Sequence, residues 1–161
     1  MRTCISNANA AGKQAFGLTL AAALFVSGTL AAQASEPILY VEKTATCGCC
    51  HAWVERMRDA GFDVRARDVS QDALIQMKIA LGISPDMASC HTASIDGYAV
   101  EGHVPAQDIR RLLSEAPRAR GLSAPGMPLG SPGMDMDDAH EPYDVILIHD
   151  DGGLSTFSHY E

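Results

Sequence analysis

The stretch Thr46-Cys47-Gly48-Cys49-Cys50-His51-Ala52-Trp53 places three thiols within four residues. A short apolar run at residues 38–41 precedes it, and a run with helical spacing at residues 51–60 follows. The thiols therefore lie where a strand turns into a helix. At a helix N-terminus, sulfur atoms face unpaired backbone N–H groups and the positive end of the helix dipole, and both favour thiolate over thiol. The stretch indicates functional thiols that either bind a soft metal ion or exchange a disulfide.

The chain beyond this stretch alternates between short strands and helices. The predicted elements are a strand at 62–69, a helix at 70–82, a hairpin at 92–101 and a helix at 105–116. The order from residue 38 onward is β-α-β-α-β-β-α, with the first two strands parallel and the hairpin forming an antiparallel edge. Because the cysteines fall at the first β-α junction, this order predicts an α/β fold with a thioredoxin-like mixed sheet, and the spacing alone also fits other mixed α/β arrangements.

The C-terminal third has two parts of different composition. Residues 121–136 are rich in Gly, Pro and Met, and Pro-Gly-Met occurs at 125–127 and again at 132–134. This composition predicts a loop. Residues 143–160 contain two further strand patterns around a turn at 150–153, which predict a C-terminal β-hairpin added to the main sheet.

The N-terminus has the pattern of an export signal. Arg2 and Lys13 make it basic, residues 16–32 are apolar and rich in alanine, and Ala32-Gln33-Ala34 has the small-x-small spacing of a signal peptidase site. We predict that residues 1–34 are a cleaved signal peptide and that residues 35–161 form the mature domain. The mature chain has no apolar run long enough to embed it in a membrane.

The charge balance limits the partners. Only Arg2 and Lys13 of the 12 basic residues precede position 35, so 10 basic residues stand against 20 acidic ones in the mature chain. This balance argues against nucleic acid as a partner and mildly favours cations as ligands.

Exported cysteines usually pair into structural disulfides. Two such bonds are disfavoured here, because Cys49 and Cys50 are adjacent and a bond between neighbouring residues strains the peptide.

The third cysteine of the motif favours metal binding. Cys47 and Cys50 have C-x-x-C spacing, and Cys49 lies inside it, where dithiol chemistry does not need a further thiol. Three close thiolates suit Cu(I) or a small copper–thiolate cluster. Structural zinc usually draws on two separated cysteine pairs, which this spacing does not match. The sequence therefore favours copper, as Cu(I), over zinc.

Further soft ligands lie elsewhere in the chain. In a thioredoxin-like fold the segment before the third strand approaches the cysteine turn, so Cys90 is a candidate fourth sulfur ligand. Met127 and Met134 lie on the Gly/Pro-rich loop and offer thioethers, which survive oxidation better than thiolates. His103, at the end of the predicted hairpin, is a further candidate ligand.

Four motifs in a fixed order span essentially the whole mature chain. They are residues 46–53 (TCGCCHAW), 89–92 (SCHT), 97–105 (GYAVEGHVP) and 125–134 (PGMPLGSPGM). Together they resemble the CopG-like family of small exported proteins with predicted metal binding. The resemblance implies a thioredoxin-like fold, a periplasmic location, a link to copper resistance and interconversion of copper oxidation states. It also implies that the copper-binding and redox-active thiols are Cys47, Cys49, Cys50 and Cys90.

The working hypothesis is a periplasmic protein that holds Cu(I), as more than one ion, and contributes to copper resistance. No catalytic residue is assigned. One alternative is a thiol-disulfide oxidoreductase without a physiological metal, in which Cys47 and Cys50 are redox-active and Cys49 is dispensable. Another is a passive copper chaperone or buffer that passes ions to an efflux or resistance protein. Whether the protein is an enzyme stays open between these alternatives.

Overall fold

Seven strands form one mixed sheet within residues 37–135 and 139–161, the part of the chain that this computed structural model describes. The elements are β1 Leu39–Lys43, α1 Gly48–Asp59, β2 Val64–Asp68, α2 Gln71–Ala80, β3 Thr92–Ile95, β4 Tyr98–Gly102, α3 Ala106–Glu115, β5 Ala119–Ala124, β6 Tyr143–His149 and β7 Leu154–Tyr160, with a 3₁₀ turn at Pro85–Met87. The predicted signal peptide at 1–34 lies outside the described residues.

The sheet confirms the predicted fold class. The strand order is β2-β1-β3-β4-β5-β6-β7. Strands β1 and β2 are parallel, as a crossover through α1 requires, and β3 pairs antiparallel with both β1 and β4. The first four strands and three helices therefore form the predicted thioredoxin-like unit.

Each long helix begins where the sequence supplies a local signal. The Ser70 hydroxyl accepts the Ala73 N–H at 3.2 Å and begins α2, and Pro105 precedes the first turn of α3. Helix α1 begins at Gly48, three residues earlier than the predicted start, because the Cys47 sulfur accepts the Cys50 N–H at 3.3 Å. Cys49 and Cys50 consequently lie on the first helical turn.

The main core lies between the sheet and two helices. Helices α1 and α3 bury Trp53, Met57 and Leu112 against alternate residues of the strands, such as Leu39 and Val100. Helix α2 lies against the opposite face, since Lys78 contacts the strand residues whose side chains point away from this core. Within the described residues, no helix is both long and apolar enough to span a membrane.

The prediction of a loop from residue 121 was wrong at its N-terminal end. Residues 121–124 belong to β5, which pairs parallel with β4 and antiparallel with β6. Gly121 belongs to the strand because the backbones come very close there: a β-carbon at this position would lie 1.8 Å from the Ala99 carbonyl oxygen. The described residues from 125 to 135 are irregular, as predicted.

The position of the β3–β4 hairpin also differs from the prediction. The hairpin was expected at the edge of the sheet, but β4 is an interior strand because β5 pairs with its other side. The C-terminal hairpin at 143–160 forms as predicted and continues the same sheet through β6 and β7.

Four segments meet at one end of the sheet. Strand β1 leads into the cysteine turn there, and the antiparallel β3 begins there just after Cys90. Strand β4 ends there before His103, and the parallel β5 ends there at Ala124. The topology therefore gathers the cysteine turn, Cys90, His103 and the Gly/Pro-rich loop.

Candidate metal centre

The sulfur atoms of Cys47, Cys49, Cys50 and Cys90 lie within 4.8 Å of one another. Two come from the first turn of α1, one from Cys47 directly before this helix, and the fourth from the segment before β3. Cys49 Sγ lies 3.5 Å from Cys47 Sγ and 3.9 Å from Cys90 Sγ. The structure thus brings together all four cysteines that the sequence predicted as ligands.

Cys47 and Cys50 are joined by a disulfide, with their α-carbons 5.3 Å apart. Cys49 and Cys90 are free thiols, and both are half-buried. Cys50 is fully buried, and its sulfur lies 3.7 Å from the Cys90 carbonyl oxygen. The described form is therefore oxidised at the C-x-x-C pair and retains two thiols beside it.

Burial and a neighbouring thiol keep Cys90 protonated in this form. Removal from water, followed by repulsion from Cys49, raises the pKa of Cys90 to about 12. The Ser89 hydroxyl, whose oxygen lies 3.9 Å from Cys90 Sγ, opposes this rise only in part. A metal ion that binds Cys90 must displace its proton.

His103 turns an unprotonated ring nitrogen toward the Cys90 thiol. Its Nδ1 lies 2.8 Å from the Pro132 carbonyl oxygen, which can only accept a hydrogen bond, so Nδ1 carries the hydrogen. Burial lowers the pKa of His103, so the ring is neutral and Nε2 is unprotonated. Nε2 lies 3.0 Å from Cys90 Sγ. A ring that donates its other N–H to a carbonyl is the usual arrangement of a metal-binding histidine.

His91 lies beside the same thiol but is enclosed by the core. Its Nδ1 is 3.4 Å from Cys90 Sγ, and its ring packs 4.5 Å from Trp53 and 5.0 Å from His103, measured between centroids. Its Nε2 is buried and has no hydrogen-bond partner among the described residues. Cys90, His91 and His103 form a second group of donors that could hold an ion and that shares Cys90 with the four sulfurs.

Because two histidines are buried, we expect the free energy of unfolding to decrease in acid. Burial lowers the pKa of both His91 and His103 below the ordinary value of about 6.5. Below that pH the unfolded chain binds protons that the folded chain does not. Stability is therefore retained above about pH 6.5 and falls below it, by up to about 1.4 kcal/mol per pH unit for each histidine.

Urea unfolding of the oxidised protein between pH 7.5 and 5 should measure this slope. We expect a His91→Gln variant to have a smaller slope by up to one proton, whatever its absolute stability. An unchanged slope in the variant would mean that His91 does not contribute.

Residues 125–135, here called the covering loop, lie over the cysteine turn. Its Gly126 N–H donates to the Ala88 carbonyl oxygen at 3.3 Å, and the Ser89 hydroxyl donates to the Gly126 carbonyl oxygen. At the other end, Arg56 of α1 pairs with Asp135 at 2.7 Å. The loop is therefore fastened to both segments that carry cysteines.

The predicted thioether ligands lie on this loop. Met127 is 51% exposed and Met134 is half-buried. Both belong to the segment that covers the cysteines, and a direct role for their sulfur atoms as ligands stays a prediction.

Gly133 of the covering loop packs closely against the backbone of α1. A β-carbon there would lie 2.6 Å from the backbone nitrogen of Trp53 and 2.9 Å from the Cys49 carbonyl oxygen. We expect Gly133→Ala to cost about 1–3 kcal/mol, as overpacking does, and to lift the loop. Cys90 should then be alkylated faster, as measured by peptide mass spectrometry after timed exposure to iodoacetamide.

Gly126→Ala is the matched control for this prediction. Both glycines have a positive φ, +83° at Gly133 and +71° at Gly126, but a β-carbon at Gly126 meets nothing within 4 Å. The control therefore carries the backbone strain without the collision. Equal alkylation of Cys90 in the two variants would contradict the covering role of the Gly133 contact.

Two charged residues near the site were not assigned from the sequence. Lys78 and Glu101 form a buried ion pair beneath the segment that carries Cys90. A signal was present, because Lys78 follows Leu74 by four residues on the buried face of α2, and Glu101 interrupts an apolar strand. Charged residues at two buried positions indicate a pair, since neither is buried alone at low cost.

Part of the chain matches a family model. The model described as "Protein of unknown function, DUF411" covers residues 87–134, the span that carries Cys90, His103 and most of the covering loop. Among curated proteins, no sequence matches this chain.

Two solved structures share the fold over nearly their whole length. "Copper resistance protein copG- Form 2" is 39% identical with a TM-score of 0.74, and the match covers 79% of this chain and 100% of that one. "Copper resistance protein copG- Form 1" is 40% identical with a TM-score of 0.72, covering 78% of this chain and 98% of that one. This identity, over the full neighbouring chains, confirms the resemblance drawn from the four motifs. The chain therefore belongs to the CopG family of copper resistance proteins.

Proposed function

We propose that this protein is a periplasmic copper-binding protein that contributes to copper resistance by holding Cu(I), as more than one ion, in its thiolate cluster. The observation that carries the proposal is the approach of four cysteine sulfurs to within 4.8 Å of one another at an end of the sheet. Thiolates are soft ligands that select Cu(I) over harder ions. Both neighbouring structures are of copper resistance proteins, which supports copper as the cargo.

The reduced form is the copper-binding state in this proposal. The disulfide leaves only Cys49 and Cys90 as thiols. A dithiol reductant supplies two electrons and two protons, breaks the Cys47–Cys50 bond and itself becomes a disulfide. Four thiols then face one another, and bound Cu(I) displaces their protons, so copper affinity falls as the pH falls. Transfer of two electrons from Cys47 and Cys50 to a disulfide oxidant, which becomes a dithiol, would re-form the Cys47–Cys50 bond, remove two ligands and release copper.

His103 completes the donor set. Its neutral ring holds an unprotonated Nε2 at 3.0 Å from Cys90 Sγ, and the bond to Pro132 keeps the ring in that orientation. Met127 and Met134 would supply thioethers from the covering loop. Zinc is a weaker candidate because three of the sulfurs come from one turn, whereas structural zinc sites usually join two cysteine pairs.

Metal titration tests this proposal directly. The mature protein is reduced anaerobically and titrated with Cu(I) against a chromogenic Cu(I) chelator, and bound metal is counted by elemental analysis. We expect uptake of more than one Cu(I) per chain and no displacement by an equal amount of Zn²⁺. Failure to withdraw Cu(I) from the chelator would overturn the proposal.

The disulfide itself favours a second candidate function. A C-x-x-C disulfide at the N-terminus of α1 in a thioredoxin-like fold is the arrangement of thiol-disulfide oxidoreductases. Such an activity would reduce or isomerise a protein disulfide and would need Cys47 and Cys50 but not Cys49. Turnover by Cys49→Ser in an insulin reduction assay, without copper uptake by the wild-type protein, would favour it. Transfer of bound copper to an efflux protein without turnover would instead indicate a chaperone.

Export is part of the proposal. Residues 1–34 would direct the chain to the periplasm and be removed. N-terminal sequencing of the protein from a periplasmic extract should begin near Ser35. Retention of the full chain in the cytoplasm would argue against export.

A further inference from the structure

A buried ion pair lies beneath Cys90. Glu101, at the end of β4, has a fully buried side chain, and the side chain of Lys78 from α2 is 9% exposed. The two groups bond to each other, and Lys78 also donates to the Thr92 hydroxyl at 2.7 Å. Neither group belongs to the sulfur cluster, and the proposed function does not use them.

The Glu101 carboxylate binds the Cys90 segment on both sides. Oε1 accepts the backbone N–H of Ser89 at 2.6 Å, and Oε2 accepts the Thr92 hydroxyl at 2.6 Å. The residue before Cys90 and the residue two places after it are therefore held by one side chain. Hydrogen bonds to a charged carboxylate are roughly twice as strong as neutral ones, so this contact restrains the short segment between them.

Stability alone does not account for this pair. Burying two charges costs several kcal/mol per ion by general estimates, and apolar pairs of similar volume are often at least as stable. What an apolar pair would not provide is an acceptor for the Ser89 N–H and the Thr92 hydroxyl. The ion pair therefore holds the segment that carries Cys90 in a defined position, which an apolar pair of similar stability would not do.

The position of Cys90 determines which other potential metal ligands lie next to its sulfur atom. Its sulfur lies 3.9 Å from Cys49 Sγ and 3.0 Å from His103 Nε2. Glu101 is two residues before His103, so the end of β4 supplies both the support and one of the neighbours of this thiol. A displacement of about 1 Å would separate Cys90 from Cys49, because their sulfur atoms are already near the limit of contact, and it would lengthen the short contact with His103.

We propose that Glu101 is a positioning residue for metal uptake, which holds Cys90 against Cys49 and His103, with Lys78 as its counter-charge. The expected effect on Cu(I) affinity rests on the proposed function, whereas the expected effect on the reactivity of the Cys90 thiol rests on the fold alone. Glu101 acts through the backbone of Ser89 and the hydroxyl of Thr92, and it does not contact the metal.

Glu101→Gln tests the proposal, with Asp108→Asn as the matched control. Asp108 is a second buried carboxylate that joins distant segments, since it accepts hydrogen bonds from Ser158 at 2.5 Å and Tyr160 at 2.6 Å. It ties α3 to β7 and has no contact with the Cys90 segment in those bonds. Both variants are compared at a temperature where circular dichroism shows each to be folded.

The metal arm measures Cu(I) affinity by chelator competition. We expect Glu101→Gln to bind Cu(I) about 10–100-fold more weakly, the usual loss when a group that orients a metal ligand is removed. Asp108→Asn should bind as the wild type does. In a Cys90→Ser background Glu101→Gln should cause no further loss, because the ligand that it positions is absent. An equal loss in both backgrounds, or an equal loss in Asp108→Asn, would overturn the proposal.

The thiol arm needs no metal. In the oxidised protein, Glu101→Gln should speed alkylation of Cys90 by iodoacetamide severalfold while leaving Cys49 unchanged, whereas Asp108→Asn should change neither. If the wild type takes up no Cu(I), the proposed function fails, and this arm still decides whether Glu101 positions Cys90. An unchanged Cys90 rate would overturn the inference even if copper binds. Should Glu101→Gln not fold, Thr92→Val removes one of the same contacts without leaving an unpaired charge.

Discussion

Replacing Cys90 with serine in the reduced protein is expected to weaken Cu(I) binding by at least about 100-fold, more than the usual loss for a group that only supports a ligand. A hydroxyl is a poor ligand for a soft ion. Cys90 is also the thiol that reaches the cluster from outside the α1 turn, 41 residues after Cys49. Its removal leaves the remaining three cysteines of the cluster on one short segment, without the thiolate that meets them from the opposite side.

Chelator competition under anaerobic conditions measures this loss, and elemental analysis gives the number of ions that remain. Ser94→Ala, a small change on the same strand β3, serves as the control and should keep full affinity. We expect Cys49→Ser to bind Cu(I) more weakly as well, because the third sulfur of the turn is what distinguishes a copper cluster from a simple C-x-x-C pair. Full affinity in Cys90→Ser would mean that the turn binds copper alone, and the approach of Cys90 would then have another purpose.

Replacing Trp53 with alanine is expected to destabilise the protein by about 3–5 kcal/mol, the usual cost of removing a large buried aromatic side chain. Trp53 is fully buried on α1, and its Nε1 donates to the Val104 carbonyl oxygen at 2.9 Å. Its ring also packs 4.5 Å from His91. The loss is a large part of a typical domain stability of about 5–15 kcal/mol. The cavity would lie directly beneath the cysteine turn.

Urea unfolding followed by far-ultraviolet circular dichroism is the suitable measurement, since the chain has a single tryptophan and its fluorescence is lost in the variant. Trp53→Phe keeps an aromatic ring in the core but leaves the Val104 carbonyl without its donor, so we expect a smaller loss of about 1–3 kcal/mol. A loss below about 1 kcal/mol in Trp53→Ala would show that the core closes over the gap, and that Trp53 does not support the turn.

The thioredoxin-like unit could be predicted because its elements carry local signals. Apolar runs and helical spacing predicted β1, α1, β2 and α2, and the two strand patterns at 92–101 predicted the β3–β4 hairpin. Strand β5 could not be predicted in this way. Gly121 and its small neighbours resemble a loop in composition, and only the close approach of β4 makes a glycine necessary there.

The candidate site was predicted in part for the same reason. Cys47, Cys49 and Cys50 follow one another along the chain, so their proximity could be predicted, and the fold order placed Cys90 near them. His91 could not be assigned from the sequence, because alternation along a strand can turn the ring of the residue beside Cys90 either way. The support from Glu101 was missed, since a charge within a strand pattern does not reveal which backbone N–H groups it accepts.

The sequence by itself determined which soft donors this protein has and that three of them lie where the first strand turns into a helix, because the cysteine spacing and the adjoining strand and helix patterns are local. Only the tertiary structure decided what Cys90 meets. Cys90 contacts His103 and Cys49, and Glu101 supports its segment through Ser89. These contacts join residues up to 41 positions apart. These contacts depend on the order and register of β1, β3, β4 and β5 at one end of the sheet, and periodicity along the chain does not encode that order.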